Sequence, residues 1–216
     1  MTRLAVFDCD GTLVDGQAAI CAAMEQAFIA ADAAPPPRNA IRRIVGLSLP
    51  QAVRRLASGI GEADCAAIVE NYRHAYRSTR ESGALHEPLF DGIAALLDAL
   101  RSEGWVLAIA TGKSDRGLAA CLAANGIADR FASLHTADGY PSKPHPAMLE
   151  AALCDAGAAP QQAVMIGDTT FDMAMARAAG VRALGVAWGY HAPHELLAEG
   201  AEAVAGSPAE LLEMLR

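Results

Sequence analysis

The sequence predicts an α/β protein: a doubly wound parallel sheet carrying an inserted all-helical segment. Three observations lead to this. Short apolar runs at 4–7, 106–110, 163–166 and 181–186 read as strands buried on both faces. From residue 91 onward, helical stretches alternate with these runs, as in a sheet wrapped by helices on both sides. Between residues 16 and 85, by contrast, no convincing strand is found. Together they describe a Rossmann-like core of residues 1–15 and 86–216, interrupted by a helical module at 16–85.

The first run, Leu4-Ala5-Val6-Phe7, ends in Asp8-Cys9-Asp10-Gly11. Alternation puts Asp8 and Asp10 on one side of the strand or its exit loop. Two anions that close repel unless a cation or a proton lies between them. An Asp-Gly hairpin turn is the bland alternative, and it is set aside because distant segments supply partners. Residues 16–33 read as an alanine-rich helix that Ala34-Pro35-Pro36-Pro37 cannot continue. Residues 39–45, 50–58 and 62–80 are also helical, separated by Gly46 and by Gly59-Ile60-Gly61.

Asp91 to Glu103 is the next helix, stopped at Gly104. The strand at 106–110 leads into a helix at 115–124, which Asn125-Gly126 ends. Phe131 to Leu134 reads as a short strand, and Pro146 to Asp155 as a helix with proline in its first turn. The strand at 163–166 precedes a helix over 171–179, stopped by Gly180, and then the strand at 181–186. Ser207-Pro208-Ala209-Glu210 is a capping box that opens the last helix.

Hydrophobic residues make up 53% of the chain, enough for a substantial core, and only 5% are aromatic. That balance favours close-packed helices over a β-sandwich. A formal net charge of −8 argues against a nucleic-acid partner. Only two of the seventeen basic residues are lysine, Lys113 and Lys143. A chain that uses arginine elsewhere keeps lysine where a compact point charge is needed. Position favours that reading for Lys143, whereas Lys113 reads as a solvated or rim residue. The five cysteines show no metal-binding spacing and read as buried side chains in a reducing compartment. No apolar run is long enough for a membrane and no leader pattern opens the chain, so a cytoplasmic protein is expected.

In doubly wound sheets ligands gather at the carboxyl ends of the strands. Three polar clusters fall there: Asp8/Asp10, Thr111-Gly112-Lys113-Ser114, and Gly167-Asp168-Thr169-Thr170-Phe171-Asp172. A fourth, Ser142-Lys143-Pro144-His145-Pro146, precedes a helix. These residue types suit a phosphate monoester. A hard divalent cation on Asp8, Asp168 and an oxygen at Asp10 would offset the charge of the dianion. Lys143 would add positive charge, and Thr111 and backbone N–H groups would donate hydrogen bonds to phosphoryl oxygens. Asp8 would attack phosphorus, and Asp10 would protonate the departing alcohol and then activate water. His145, between two prolines, reads as a loop-packing residue.

Asp8-Cys9-Asp10-Gly11-Thr12-Leu13 resembles the first motif of the haloacid-dehalogenase-like hydrolases. Thr111-Gly112 resembles the second, Lys143-Pro144 the third, and Gly167 to Asp172 the fourth. The helical insertion, Gly185-Val186-Ala187-Trp188-Gly189-Tyr190 and Ala209-Glu210-Leu211-Leu212 resemble the phosphoglycolate-phosphatase-like branch, whose insertion is a cap. The resemblance implies a Mg2+-dependent phosphohydrolase acting on a small phosphorylated metabolite. It also implies Asp8 as nucleophile, Asp10 as acid/base, Asp168 as metal ligand and Asp172 at or just behind the metal site.

Arg42 and Arg43 lie where related caps send a loop towards the core, and are candidates for a substrate carboxylate. A solvated helical face is the leading reading of either. Tyr72, Arg73, Tyr76 and Arg77 form a helical stripe that reads as packing and surface charge. Asp10 argues against dehalogenation, because the related dehalogenases lack it. The absence of any lysine from the helical segment argues against Schiff-base phosphonate hydrolysis. A sugar-phosphate phosphatase or β-phosphoglucomutase-like enzyme is the second reading. Signalling receivers share the residue types but lack a helical insertion and carry their aspartate on a middle strand, and a non-catalytic binding protein is the remaining class.

Overall fold

The computed structural model describes residues 2–216. Its centre is a six-stranded, all-parallel sheet. The strands are β1 (Arg3–Phe7), β2 (Trp105–Thr111), β3 (Ser133–Thr136), β4 (Ala163–Gly167), β5 (Arg182–Val186) and β6 (Ala203–Ala205), in the order β3-β2-β1-β4-β5-β6. The order reverses between β1 and β4, where a doubly wound sheet opens a crevice at its carboxyl edge.

Strand β1 shows why this sequence needs helices on both sides. Ala5 and Phe7 pack into one apolar cluster, Leu4 and Val6 into another, and all four are fully buried. Helices α5 (Ile93–Ser102), α6 (Asp115–Ala124) and α10 (Pro208–Leu215) cover the first face through Leu97, Leu118 and Leu211. Helices α7 (Ala147–Ala156), α8 (Thr170–Ala178) and α9 (Pro193–Glu199) cover the second through Met148, Met173 and Leu196. Such continuous apolar strands are stable only when both faces are removed from water.

Five helices lie between β1 and β2, and ahead of α5 come α1 (Gln17–Ile29), α2 (Arg38–Arg42), α3 (Leu49–Leu56) and α4 (Glu62–Glu81). These four carry their own apolar cluster, with Met24, Phe28, Ile41, Val53 and Ile68 at its centre. A small cluster of Ile44, Leu47 and Ala52 reaches the α8 residue Phe171. The chain leaves and re-enters the core side by side, with the Asp15 N–H donating to the Pro88 carbonyl at 2.8 Å.

The sequence reading differs from the structure in a few elements. Helix α9 and strand β6 were not expected. The first has seven residues and the second is Ala-Val-Ala, too short and too alanine-rich for a periodic signal. Strand β3 begins at Ser133 rather than Phe131, because Phe131 packs edge-on against Phe7 while Ser133 opens the pairing with β2. Helix α1 ends at Ile29, followed by turns in which Asp32 has a φ of 53°.

Leu97 is fully buried against the sheet. Leu97→Ala is expected to lower unfolding stability by about 2–5 kcal/mol, read from urea titration. A loss below about 1 kcal/mol would contradict its placement in the packed core.

Candidate active site

Strand register brings the polar clusters to one edge. Phe7 is level with Ile109 on one side and Ile166 on the other. Asp8, Thr111 and Asp168 therefore emerge within two residues of the same level. The Asp8 N–H donates to the Ile166 carbonyl at 2.9 Å, which extends the ladder one residue past the strand. The chain then turns through Gly11, whose φ is +83°. A Cβ there would sit 2.2 Å from an Asp168 oxygen, so only glycine lets the turn close over that carboxylate.

Lys143 is fully buried, and its Nζ lies 2.8 Å from Asp8 Oδ1 and 2.7 Å from Asp172 Oδ1. Asp8 Oδ1 also accepts the Cys9 N–H at 2.6 Å, while Asp8 Oδ2 is buried without any hydrogen-bond partner. Asp168 accepts from Thr12 Oγ1 and the Tyr190 N–H, both at 2.8 Å. Asp172 also accepts from the N–H and hydroxyl of Thr169 at 3.0 and 2.7 Å, so it caps α8 as well as holding Lys143. Oxygens of Asp8, Asp168 and Asp172 lie within 4.8 Å of one another.

Three carboxylates around one ammonium leave two negative charges uncompensated if all ionise, the charge of one divalent cation. Burial pushes the Asp168 carboxyl well above the usual carboxylate range, with the neighbouring acids adding to the shift. Burial also raises Asp8 to about 7 despite the opposing pull of Lys143. An all-oxygen set of three converging carboxylates fits a hard ion such as Mg2+.

No one lysine bridges the carboxylates of Asp8 and Asp10. Asp10 turns to the other lysine: Lys113 Nζ lies 3.0 Å from Asp10 Oδ1 and 2.7 Å from Glu87 Oε1. The Asp10 carboxylate thus stands apart from the three that converge, those of Asp8, Asp168 and Asp172. Burial raises the Asp10 carboxyl, and Glu87 adds to the shift while Lys113 opposes it. Lys113 is not a solvated rim residue, since only 9% of its side chain is exposed. Burial opposes its charge, but Asp10, Tyr76 and Glu87 outweigh that and hold its ammonium well above the ordinary lysine range.

A cavity of ≈ 450 Å³ opens onto this edge, and Asp8, Asp10, Thr111, Gly112 and Lys113 form part of its wall. The Gly46-Leu47 loop forms another part, its carbonyl oxygens so near Gly112 that a Cβ there would lie 2.5–2.6 Å from them. Arg42 and Arg43 do not line the cavity. Arg43 instead pairs with Glu195 at 2.7 Å, and Arg42 lies beside Gln17. The arginines that do line it are Arg73, Arg77 and Arg80 of α4 and Arg116 of α6, beside Tyr72 and Tyr76. The stripe read as packing therefore faces the cavity. Its i, i+4 spacing was the available signal, but nothing in the sequence showed which way it turns. Glu87 carried no local signal. His145 is an exposed loop residue whose Nδ1 accepts the Ala147 N–H at 3.2 Å.

Residues 5–186 match the family model described as haloacid dehalogenase-like hydrolase. A probable phosphatase, IndB, from Dickeya dadantii is 34% identical over 98% of this chain and 93% of its own length. A phosphoglycolate phosphatase from Pseudomonas putida is 32% identical over 100% of this chain and 78% of its own. The crystal structure of a hydrolase from Pseudomonas syringae superposes with a TM-score of 0.87 at 27% identity, covering 100% of this chain and 98% of the other. No helix among the described residues is long and apolar enough to cross a membrane.

Without a cation, Asp8 binds more protons folded than unfolded between pH 3.8 and about 7. Its contribution to stability therefore falls as pH rises through that window. A divalent ion requires the ionised form, so its binding releases protons below about pH 7. The rise in Tm on adding Mg2+ is expected to be larger at about pH 8 than at about pH 5.5. Equal rises at both would contradict the assignment.

Proposed function

The chain belongs to the haloacid dehalogenase-like hydrolases, and on that premise we propose a Mg2+-dependent phosphatase that cleaves a small phosphorylated metabolite through an aspartyl-phosphate on Asp8. The observation that carries this reading is the divided Asp8 carboxylate. One oxygen is fixed by Lys143 and the Cys9 N–H, while the other is buried and unpartnered, on a residue that lines the cavity. A nucleophile needs that division, in which one atom orients the group and the other reacts.

Asp8, Asp168 and Asp172 would hold the Mg2+ ion, which when bound supplies charge neutralisation for the phosphoryl oxygens. Lys143 donates to Asp172, pairs with Asp8 by charge, and keeps a further donor for a phosphoryl oxygen. Thr111 Oγ1 accepts the Lys113 N–H at 3.3 Å, which leaves its own proton free to donate, and the Gly112 N–H adds a second donor. Asp8 Oδ2 bonds to phosphorus as the P–O bond to the leaving group breaks. Asp10 passes its proton to the departing oxygen, consistent with its raised pKa. In the second step Asp10 takes a proton from water as the water oxygen bonds to phosphorus. Inorganic phosphate leaves and the Asp8 carboxylate is restored.

Residues 16–85 act as a cap that shields the phosphoryl group from bulk water and reads the leaving group. Four arginines in the cavity wall favour a leaving group that carries its own anion, as in phosphoglycolate. The Pseudomonas putida relative bears that name. The cavity volume supports a second reading, a sugar phosphate: ≈ 450 Å³ lies in the range of about 300–1,000 Å³ that takes ligands larger than a two-carbon acid.

Asp8→Asn is expected to abolish steady-state turnover with the circular dichroism spectrum unchanged. Retained activity would sink the nucleophile assignment. Chelation of Mg2+ should stop hydrolysis and readdition should restore it, whereas undiminished metal-free turnover would remove the ion from the scheme. Arg77→Ala is expected to lower kcat/KM for phosphoglycolate by about tenfold, the value of one charge-assisted hydrogen bond. An equal fall for glucose 6-phosphate would argue against recognition of the carboxylate.

A further inference from the structure

Apart from the Lys143 site, the molecule holds a second buried ion cluster, in which the scheme above gives a task to Asp10 but none to the side chains of Lys113 and Glu87. Lys113 Nζ sits between Asp10 Oδ1 at 3.0 Å and Glu87 Oε1 at 2.7 Å. The same Glu87 oxygen accepts the Tyr76 hydroxyl at 2.7 Å. The side chains of Asp10, Lys113 and Glu87 are 11%, 9% and 5% exposed. Burying one lysine with two carboxylates is costly. A lysine that merely balanced Asp10 would need no second acid.

The surroundings hold the cluster still. Asn125 Nδ2 donates to the Glu87 carbonyl at 3.0 Å, which fixes the backbone beneath the carboxylate. Gly16 closes the other side, where a Cβ would lie 2.9 Å from Asp10 Oδ1 and 3.4 Å from Glu87 Oε1. Glu87 stands where the chain returns from the helical segment to the core, and Tyr76 belongs to α4, the last helix before that return. The contact between Lys113 and Asp10 is an ion pair at 3.0 Å that ties down the Oδ1 atom of Asp10.

We propose that Glu87 and Lys113, braced by Tyr76, are positioning residues for Asp10. They hold one carboxyl oxygen so that the other faces the leaving oxygen. Glu87 restrains Lys113, Lys113 restrains Asp10, and Asp10 alone touches the reacting atoms. Because Tyr76 lies on α4, the brace is complete only while that helix is seated. The inference rests on the acid role of Asp10 in the proposed function.

The test compares first-turnover release of the leaving group from two substrates, using the full chain with Mg2+. p-Nitrophenyl phosphate loses a phenolate that needs no proton. Phosphoglycolate loses an alkoxide that does. For Asp10→Asn the ratio of aryl to alkyl rates should rise about 10²-fold. For Lys113→Met and Glu87→Gln it should rise at least about tenfold, in the same direction. Tyr76→Phe, which removes one hydroxyl and keeps the ring, should give a smaller rise. If Lys113→Met does not fold, Glu87→Gln and Tyr76→Phe decide. Equal slowing of both substrates, or a higher KM for both at an unchanged ratio, would make Lys113 a structural or substrate-binding cation and overturn the inference. If Asp10→Asn itself leaves the ratio unchanged, the acid role fails first. If Asp10→Asn raises it and the other three do not, only this inference fails.

Discussion

Two buried ammonium groups, each held between two carboxylates, constrain the rest of this structure. Lys143 lies between Asp8 and Asp172, and Lys113 between Asp10 and Glu87. Removing such charges from water costs several kcal/mol per ion unless partners replace the lost hydration. Every surrounding segment contributes to that replacement. The Cys9 N–H meets Asp8, the Thr169 N–H and hydroxyl meet Asp172, and Tyr76 meets Glu87. The carboxylates outnumber the lysines, and this excess of negative charge suits the proposed Mg2+ ion.

The sheet makes such packing possible. Parallel strands end at a common edge, and the reversal of order between β1 and β4 keeps that edge open. Asp8 and Asp168 come from those two strands and face each other across the opening. Glycine is required where chain must pass close to a carboxylate or another loop, as at Gly11 and Gly112. Neither position has room for a side chain, so rigidity here comes from crowding as much as from hydrogen bonding.

Much of this was legible in the sequence. Both faces of β1 are apolar, and the alternation of strand with helix announces the layers. Asp8, Thr111 and Asp168 lie at or just past strand ends that the register makes level, and Lys143 reaches Asp8 from the loop before α7. What stayed hidden depends on distance along the chain. Lys113 was misread because its partners lie 103 positions upstream and 26 upstream, and no local pattern connects them. The arginines of α4 showed helical spacing but not the direction of the helix. Arg42 and Arg43 drew attention as a pair, yet α2 turns them away from the cavity. β6 is only three residues of alanine and valine, and its identity comes from the neighbouring strand rather than from itself.

The confinement of lysine has a chemical consequence for the whole particle. The chain has two lysines, one fully enclosed and the other almost so, while its arginines are spread over the exterior. Among the side chains of the described residues, the outside therefore carries its positive charge mainly through guanidinium, which stays protonated and resists acylation at neutral pH. No lysine amine stands in open solvent. Electrophiles that seek a lysine, whether acetyl donors, aldehydes or amine-directed cross-linkers, would find their nearest target at the wall of the cavity. In this protein the chemistry of covalent labelling and the chemistry of turnover converge on the same few cubic nanometres.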